Sequence, residues 1–522
     1  MKKKTAMLNV ASLVLLITSL TYVILFLSTS IARPLTWDEV DYATAAKEGI
    51  KKNALAEGTL SFMQMTKLGI AKVKGIKPDV SSLPPESSDL FLRRHFHSVL
   101  PVYYWTLFLN DNILTQDVRL KISCMLLVIL FVLSVLFLLP KVYKEDNKPN
   151  WFILAVLLSF FITSDVFMKS FLALNFHIFF LLVSILFVFA LINYLNNTTW
   201  RNAVWLGIAL AAVVCTLETS VMIFTGALLA IIILKQHKVF LTKTKTVFFS
   251  LLIATVFFYP GILKTIEPLK SWEMYAYRIF AMRNAEYKSV SILSNLMDFM
   301  ASDYLLIMIL IIGYGKVISD LFSGRNINRL LLIPCAVGLF YLIIILPFAT
   351  SITYVLPAIG LLFVGCIPGW IKIISSDNLR IIIFGIAVLY IAICYYSTDF
   401  DLLKAESKKV TENFQKDLME AKNIVDNGQH LLVDGGHIFR YYFDIDKEDN
   451  RVVDLFEFNH EAVQFVTRKE YHYIPMDDLL SQKYFTGVMI DKKRKQFSTK
   501  RDRLFQFGYK IKELNSYYLF YL

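Results

Sequence analysis

A polytopic α-helical membrane protein with a small α/β domain at its C-terminal end is the fold class this sequence predicts. Three observations predict it. The 522 residues are 56% hydrophobic, with a mean hydropathy of +0.53. Apolar runs long enough to cross a hydrocarbon core of ~30 Å, about 20 residues each as a helix, recur along most of the chain. Past residue 397 the composition turns charged and mixed.

The elements follow in order. The run 7–31 is longer than the apolar region of a signal peptide and is followed by no small-residue cleavage site, so it reads as a retained span. Ten further spans are expected near 119–140, 151–164, 176–195, 203–217, 219–234, 246–263, 303–318, 329–347, 351–370 and 379–397, giving eleven in all. Lys2, Lys3 and Lys4 put the N-terminus inside. The inner turns then carry Lys141, Lys144, Lys148, Arg201, Lys235, Lys238, Lys243, Lys245, Lys316, Arg325, Arg329, Lys372 and Arg380, while the short outer turns carry almost no Lys or Arg. Residues 203–234 would serve as one long helix or as a hairpin turning near Glu218 and Thr219. Only the hairpin keeps the following lysines inside.

Three segments then face outward: 32–118, 264–302 and the tail 398–522. The chain divides into a transmembrane domain, 1–397, and a C-terminal extracytoplasmic α/β domain, 398–522. In the tail, Phe414, Leu418, Ala421, Ile424 and Val425 recur at helical spacing. HLLVDGG reads as a buried strand ending in a glycine turn, and VVDLFEF, TGVMID and SYYLFYL as further strands. Asp434, Gly435 and Gly436 lie in no GxGxxG or Walker spacing, so they are a strand-end turn rather than a phosphate loop.

The net charge of +12 is explained by the loop Lys and Arg that orient the spans, which argues against a nucleic-acid partner. Cys124, Cys215, Cys335, Cys366 and Cys394 all fall in apolar segments, so they make neither a disulfide framework nor a CxxC metal site.

Three stretches could carry chemistry. The first, RPLTWDEVDYATAAKEG from Arg33, sets the adjacent carboxylates Asp38 and Glu39 just beyond the first span. One reading is a capping box, with Thr36 as N-cap, Glu39 three residues on and Asp38 in the first turn. The other is chemistry at the membrane surface. A cap also fixes a carboxylate rigidly, so the two are compatible. The second stretch, RRHFHSVLPVYYW, clusters Arg93, Arg94, His95 and His97 before Tyr103, Tyr104 and Trp105. The cluster suits a phosphate or diphosphate, or an interfacial belt at the headgroups. His95 and His97 lack helical metal-ligand spacing and a third ligand, so no metal or other cofactor is expected. The third, ATSITYVLPAIGLL, places Tyr354 and Pro357 at an outer turn, as an aromatic anchor and a helix-start proline or as part of a site. Lesser candidates are Asp165, Lys169, Asn175, His177 and Glu218, with Lys264, Arg278, Arg283 and Lys288 in the outer loop 264–302.

Together these stretches resemble the GT-C integral-membrane glycosyltransferases, most closely the branch containing protein O-mannosyltransferases and lipid A aminoarabinose transferases. Asp38-Glu39-Val40-Asp41-Tyr42-Ala43 matches that branch's D-E-x-x-Y-A pattern after the first span. Pro101 to Trp105 matches its Pro-x-Tyr-Tyr-Trp-like stretch, and Tyr354 to Ala358 its Tyr-x-Leu-Pro-Ala stretch. GIALAAVVCTLETSVMIF looks like its Gly-Leu-Ala-type hairpin, with Glu218 near the position where a Lys is common. Two departures stand out. Ser98-Val99-Leu100 replace a basic or His-Pro-Pro element, and the 172–177 turn lacks an acid, leaving Asp165 as the nearest carboxylate.

The resemblance implies transfer of a sugar from a polyprenyl-phosphate carrier to a lipid, glycan or protein acceptor at the outer face of the cell membrane. Asp38 is then expected as general base, with Glu39 orienting the acceptor or Asp38. Arg93, Arg94, His95 or His97 would stabilise the departing phosphate. Tyr42, Tyr103, Tyr354 and Asp165 are secondary substrate candidates. Two other classes stay open. A transporter or flippase would cluster its polar residues at mid-membrane, where this sequence has few. A non-catalytic scaffold would bind a partner through its C-terminal domain and tolerate loss of Asp38.

Overall fold

The structure, a computed structural model, describes residues 2–53, 99–142, 151–217, 219–258, 297, 303–323, 329–346, 352–374, 376–445, 449–454, 462–467, 470–492 and 497–522. The apolar runs fold as helices: α1 (Lys2–Ser28), α4 (Ile113–Val142), α5 (Trp151–Ile162), α6 (Asp165–Phe171), α7 (Phe176–Asn196), α8 (Trp200–Val214), α9 (Ser220–Ile233), α10 (Thr244–Phe258), α11 (Tyr304–Phe322), α12 (Ile333–Ile345), α13 (Leu356–Ile373) and α14 (Asp377–Ser397). Between α1 and α4 lie α2 (Asp38–Asn53) and α3 (Val99–Thr106). Among the described residues, six helices are long and apolar enough to cross a membrane: α1, α4, α7, α11, α13 and α14. A seventh crossing results if α5 and α6, bent by 63°, form one span. Helices α8, α9, α10 and the stretch Arg329–Ile345 coincide with expected spans but are shorter than the ~20 residues of a full crossing. Among the described residues, length and composition alone thus mark six or seven crossings, against the eleven expected with the four shorter helices included.

Polar residues set the ends of these helices. The Asn175 side chain accepts from the Ile178 amide at the start of α7, and Thr199 accepts from Asn202 at the start of α8. The apolar run 203–234 is divided between α8 and α9, which find separate partners: α8 packs on α10 and α9 on α12. Helices α11 and α13 cross where neither has a side chain. A Cβ on Gly369 would lie 1.9 Å from the Gly313 carbonyl oxygen.

The C-terminal unit opens with α15 (Phe400–Asp426), capped by Asp399, whose carboxylate accepts from the Leu402 amide at 2.9 Å. Phe414, Ala421 and Val425 on its apolar stripe are buried, as the spacing predicts. Gly428, at φ 72°, ends the helix with amide bonds from Gly428 to Val425 and from Gln429 to Ile424, a Schellman motif that requires the left-handed backbone glycine tolerates. Strand β1 (Leu431–Val433) follows, then α16 (Gly436–Phe443), β2 (Val452–Asp454), β3 (Ala462–Thr467), β4 (Glu470–Pro475), β5 (Gly487–Asp491), β6 (Lys510–Glu513) and β7 (Tyr517–Tyr521). The main sheet has the order β2-β1-β5-β7-β6; β1 runs parallel to β2 and β5, and β7 antiparallel to β5 and β6. β3 and β4 form a separate antiparallel hairpin. One face of the main sheet joins the hydrophobic core of the helical part through Leu431, Val433, Met489, Tyr517 and Leu519. The other face closes a small core of its own around Leu432, Val488, Ile490 and Phe520.

Candidate active site

The first turn of α2 is built around Glu39. Its carboxylate is buried and fully engaged. Oε1 accepts from the Arg33 guanidinium at 2.8 Å and from the Leu174 amide at 3.0 Å. Oε2 accepts from the Thr36 amide at 3.1 Å and the Thr36 hydroxyl at 3.4 Å. This is the reciprocal half of a capping box: the Glu reaches back to the amide, while the Thr hydroxyl donates to the Glu instead of capping the helix. The bond to Leu174 ties α2 to the α6–α7 connection, a contact across 135 residues of sequence. Beside it, Asp38 is exposed. The two carboxylates are neighbours in sequence with opposite environments.

Tyr42, one turn further along α2, is buried against Trp105 of α3 and Phe176 of α7, with ring centroids 5.6 Å and 4.1 Å away. Trp105 and Phe176 stack at 5.4 Å. His177, next to Phe176, lies 4.5 Å ring to ring from Tyr354. All three sequence stretches therefore converge on the start of α7: the first through Tyr42 and Glu39, the second through Trp105, the third through Tyr354. Tyr103 is 39% exposed. Tyr104 points inward and donates to the Ser123 carbonyl at 2.7 Å.

Asp165 begins α6 and pairs with Lys169 one turn on, at 2.5 Å. The cap of α6 comes from elsewhere. Ser164, the residue before the helix, spends its hydroxyl on the Phe161 carbonyl, and the Asp303 carboxylate accepts from the Asp165 and Val166 amides at 2.6 and 2.7 Å.

The base of the site is held by α4. Lys121 is buried and donates to the carbonyls of Ser30 and Arg33, capping the chain as it leaves α1. Asp117, one turn earlier, accepts from Tyr441 at 2.9 Å, from Tyr442 at 2.6 Å and from the Leu35 amide at 3.4 Å. Gln116 donates to the Tyr441 hydroxyl at 2.7 Å, and Tyr442 also reaches the Leu35 carbonyl at 3.2 Å. Burial first, then the Asp117 charge, holds both phenols above their ordinary range, so they remain protonated donors. Helix α16 of the C-terminal unit is thus latched onto α4 and the segment leading to Asp38.

Arg93, Arg94, His95, His97 and Glu218 lie outside the described residues, as do Lys264, Arg278, Arg283 and Lys288. Asp303, Asp117 and the two tyrosines of α16 were missed in the sequence, because each meets its partner across more than a hundred residues.

Two solved structures are similar to the chain over nearly its whole length. ArnT from Cupriavidus metallidurans bound to undecaprenyl phosphate aligns with TM-score 0.54 at 10% identity, covering 97% of each chain. The same protein in the apo state aligns with TM-score 0.58 at 9% identity, covering 95% of each. The chain has a GT-C glycosyltransferase fold. With its long apolar helices, this fold makes it an integral membrane protein. No family model matches it, and no curated protein matches it in sequence.

Proposed function

We propose that the protein is a glycosyltransferase that moves a sugar from a polyprenyl-phosphate carrier to an acceptor hydroxyl at the outer face of the cell membrane. The observation that carries the reading is the pair of environments at the start of α2. Glu39 is locked at four bonds, and this rigid turn presents Asp38 at the surface, beside the point where the three stretches meet. The GT-C fold supports it, and so does the undecaprenyl phosphate bound to ArnT.

In this reading the acceptor hydroxyl oxygen attacks the anomeric carbon and its proton passes to Asp38. The bond from the anomeric carbon to the phosphate oxygen breaks, and its electron pair leaves with the phosphate. A single displacement of this kind inverts the anomeric centre. Glu39 then acts by holding the turn rather than by touching substrate. Tyr42 likewise packs the helix, while Tyr103, Tyr354 and Asp165 remain candidates for substrate contact. Arg93, Arg94, His95 and His97 are proposed for the departing phosphate on their sequence alone. In this reading residues 1–397 form the transmembrane domain, its eleven spans counting the bent pair as one and including the four shorter apolar helices, and 398–522 form the extracytoplasmic domain. A lipid-linked donor suits this arrangement, since its sugar already stands on the outer side.

The test is transfer of labelled sugar from a panel of polyprenyl-phosphate sugars in membranes with and without the protein. Transfer from one of them, dependent on the protein, supports the reading. Absence of transfer from every donor and acceptor fraction contradicts it.

A further inference from the structure

We infer that the C-terminal α/β unit completes the catalytic site, with His437 as the positioning residue that holds the Trp37–Asp38 turn. This rests on the transferase reading of Asp38. Strand β1 is flanked by parallel strands on both sides, β2 and β5, and the chain leaves its C-terminal end for α16 and β2. That end is a topological switch point, the place where open α/β sheets form their working crevice. The turn at this point is Asp434-Gly435-Gly436-His437, and what it meets is the start of α2. Gly435 is left-handed at φ 81°, and a Cβ there would lie 3.4 Å from the Cη2 and Cζ3 atoms of Trp37. The His437 and Trp37 rings are 5.9 Å apart, and His437 Nε2 stands 4.0 Å from Asp41 Oδ1. Asp444, just past α16, pairs with Lys47 further along α2.

Trp37 has a reason to need this contact. Its φ of 48° puts a bulky side chain in the left-handed region, which costs energy and persists only where the surroundings impose it. The residue that follows is Asp38. Asp38 and Asp41 are three apart and share one face of α2. A hold on Trp37 and Asp41 is therefore a hold on the direction of the Asp38 carboxylate. The latch of Tyr441 and Tyr442 on Asp117 fixes α16, so the hold is made against a rigid partner.

The experiment uses the full-length protein in lipid nanodiscs, comparing wild type with His437→Ala, His437→Gln and Asp41→Asn. Hydrogen exchange of the amides at 37–42 is measured beside transfer kinetics. The proposal expects His437→Ala to speed exchange at these amides and to lower kcat at least about tenfold, with KM for the donor unchanged, as misplacement of a reacting group does. His437→Gln should restore most of both. Asp41→Asn should reproduce the loss, and the double variant should be no worse than either single one. Unchanged exchange in His437→Ala overturns the proposal whatever the activity, and so does faster exchange with full kcat. Absence of transfer in the wild type instead overturns the transferase reading, and the exchange data alone then decide whether His437 holds the turn.

Discussion

The Glu39 carboxylate accepts from Arg33, Thr36 and Leu174, whereas the Asp38 carboxylate is exposed, so substitutions at these adjacent positions should separate stability from chemistry. Glu39→Gln removes the buried charge that Arg33 faces and one set of acceptor lone pairs. Breaking such a pair costs about 3 kcal/mol, so thermal unfolding in detergent should show a clear drop in Tm together with lost activity. Asp38→Asn should leave Tm within about a degree of wild type, since surface substitutions of this kind change stability by roughly 0.5 kcal/mol or less. Equal Tm for wild type and Glu39→Gln would show that the clamp contributes little. The capping box expected from Thr-x-x-Glu was legible in the sequence, and half of it forms. The partner on Leu174 was not, because local spacing carries no information on a contact 135 residues away.

Two junctions between elements carry similar weight. Asp117 is buried on α4 with both oxygens occupied by the phenols of α16. The pair Tyr441→Phe and Tyr442→Phe would remove both phenol donors and leave that carboxylate the long bond from the Leu35 amide, at about 1–3 kcal/mol for each lost donor. Limited proteolysis should then cut the C-terminal unit faster than in wild type; an unchanged rate would mean that the apolar contacts of α16 suffice. At the crossing of α11 and α13, Gly369→Ala forces a methyl into the Gly313 carbonyl. Overpacking of this kind costs about 1–3 kcal/mol, visible as a lower Tm, and a wild-type Tm would show that the two helices slide apart freely. Strands β1, β2, β5 and β7 were readable as short apolar runs bounded by turns. Strands β3, β4 and β6 were not: β3 interrupts its apolar residues with Gln464 and ends in Thr467, β4 mixes Glu470 and His472 with tyrosines, and β6 is mostly charged and exposed along its whole length.

Over the whole molecule, the order of motifs in the sequence anticipated a GT-C fold, and the structure brings those motifs to the start of α7. What the sequence hid was the integration of its two halves. Charged composition past residue 397 reads as a separate extracytoplasmic α/β domain, yet one face of its sheet shares the core of the helical part, and its α16 borders the turn that carries Asp38. Sugar transfer by this protein would depend on that carboxylate. The most direct measurement is single-turnover sugar transfer from a polyprenyl-phosphate donor by purified wild type and Asp38→Asn at matched Tm. Loss of a general base lowers the rate by about 100-fold or more, with donor binding intact, and that is the result predicted. Equal rates in the two proteins would contradict it and leave Asp38 as a surface residue at a helix start.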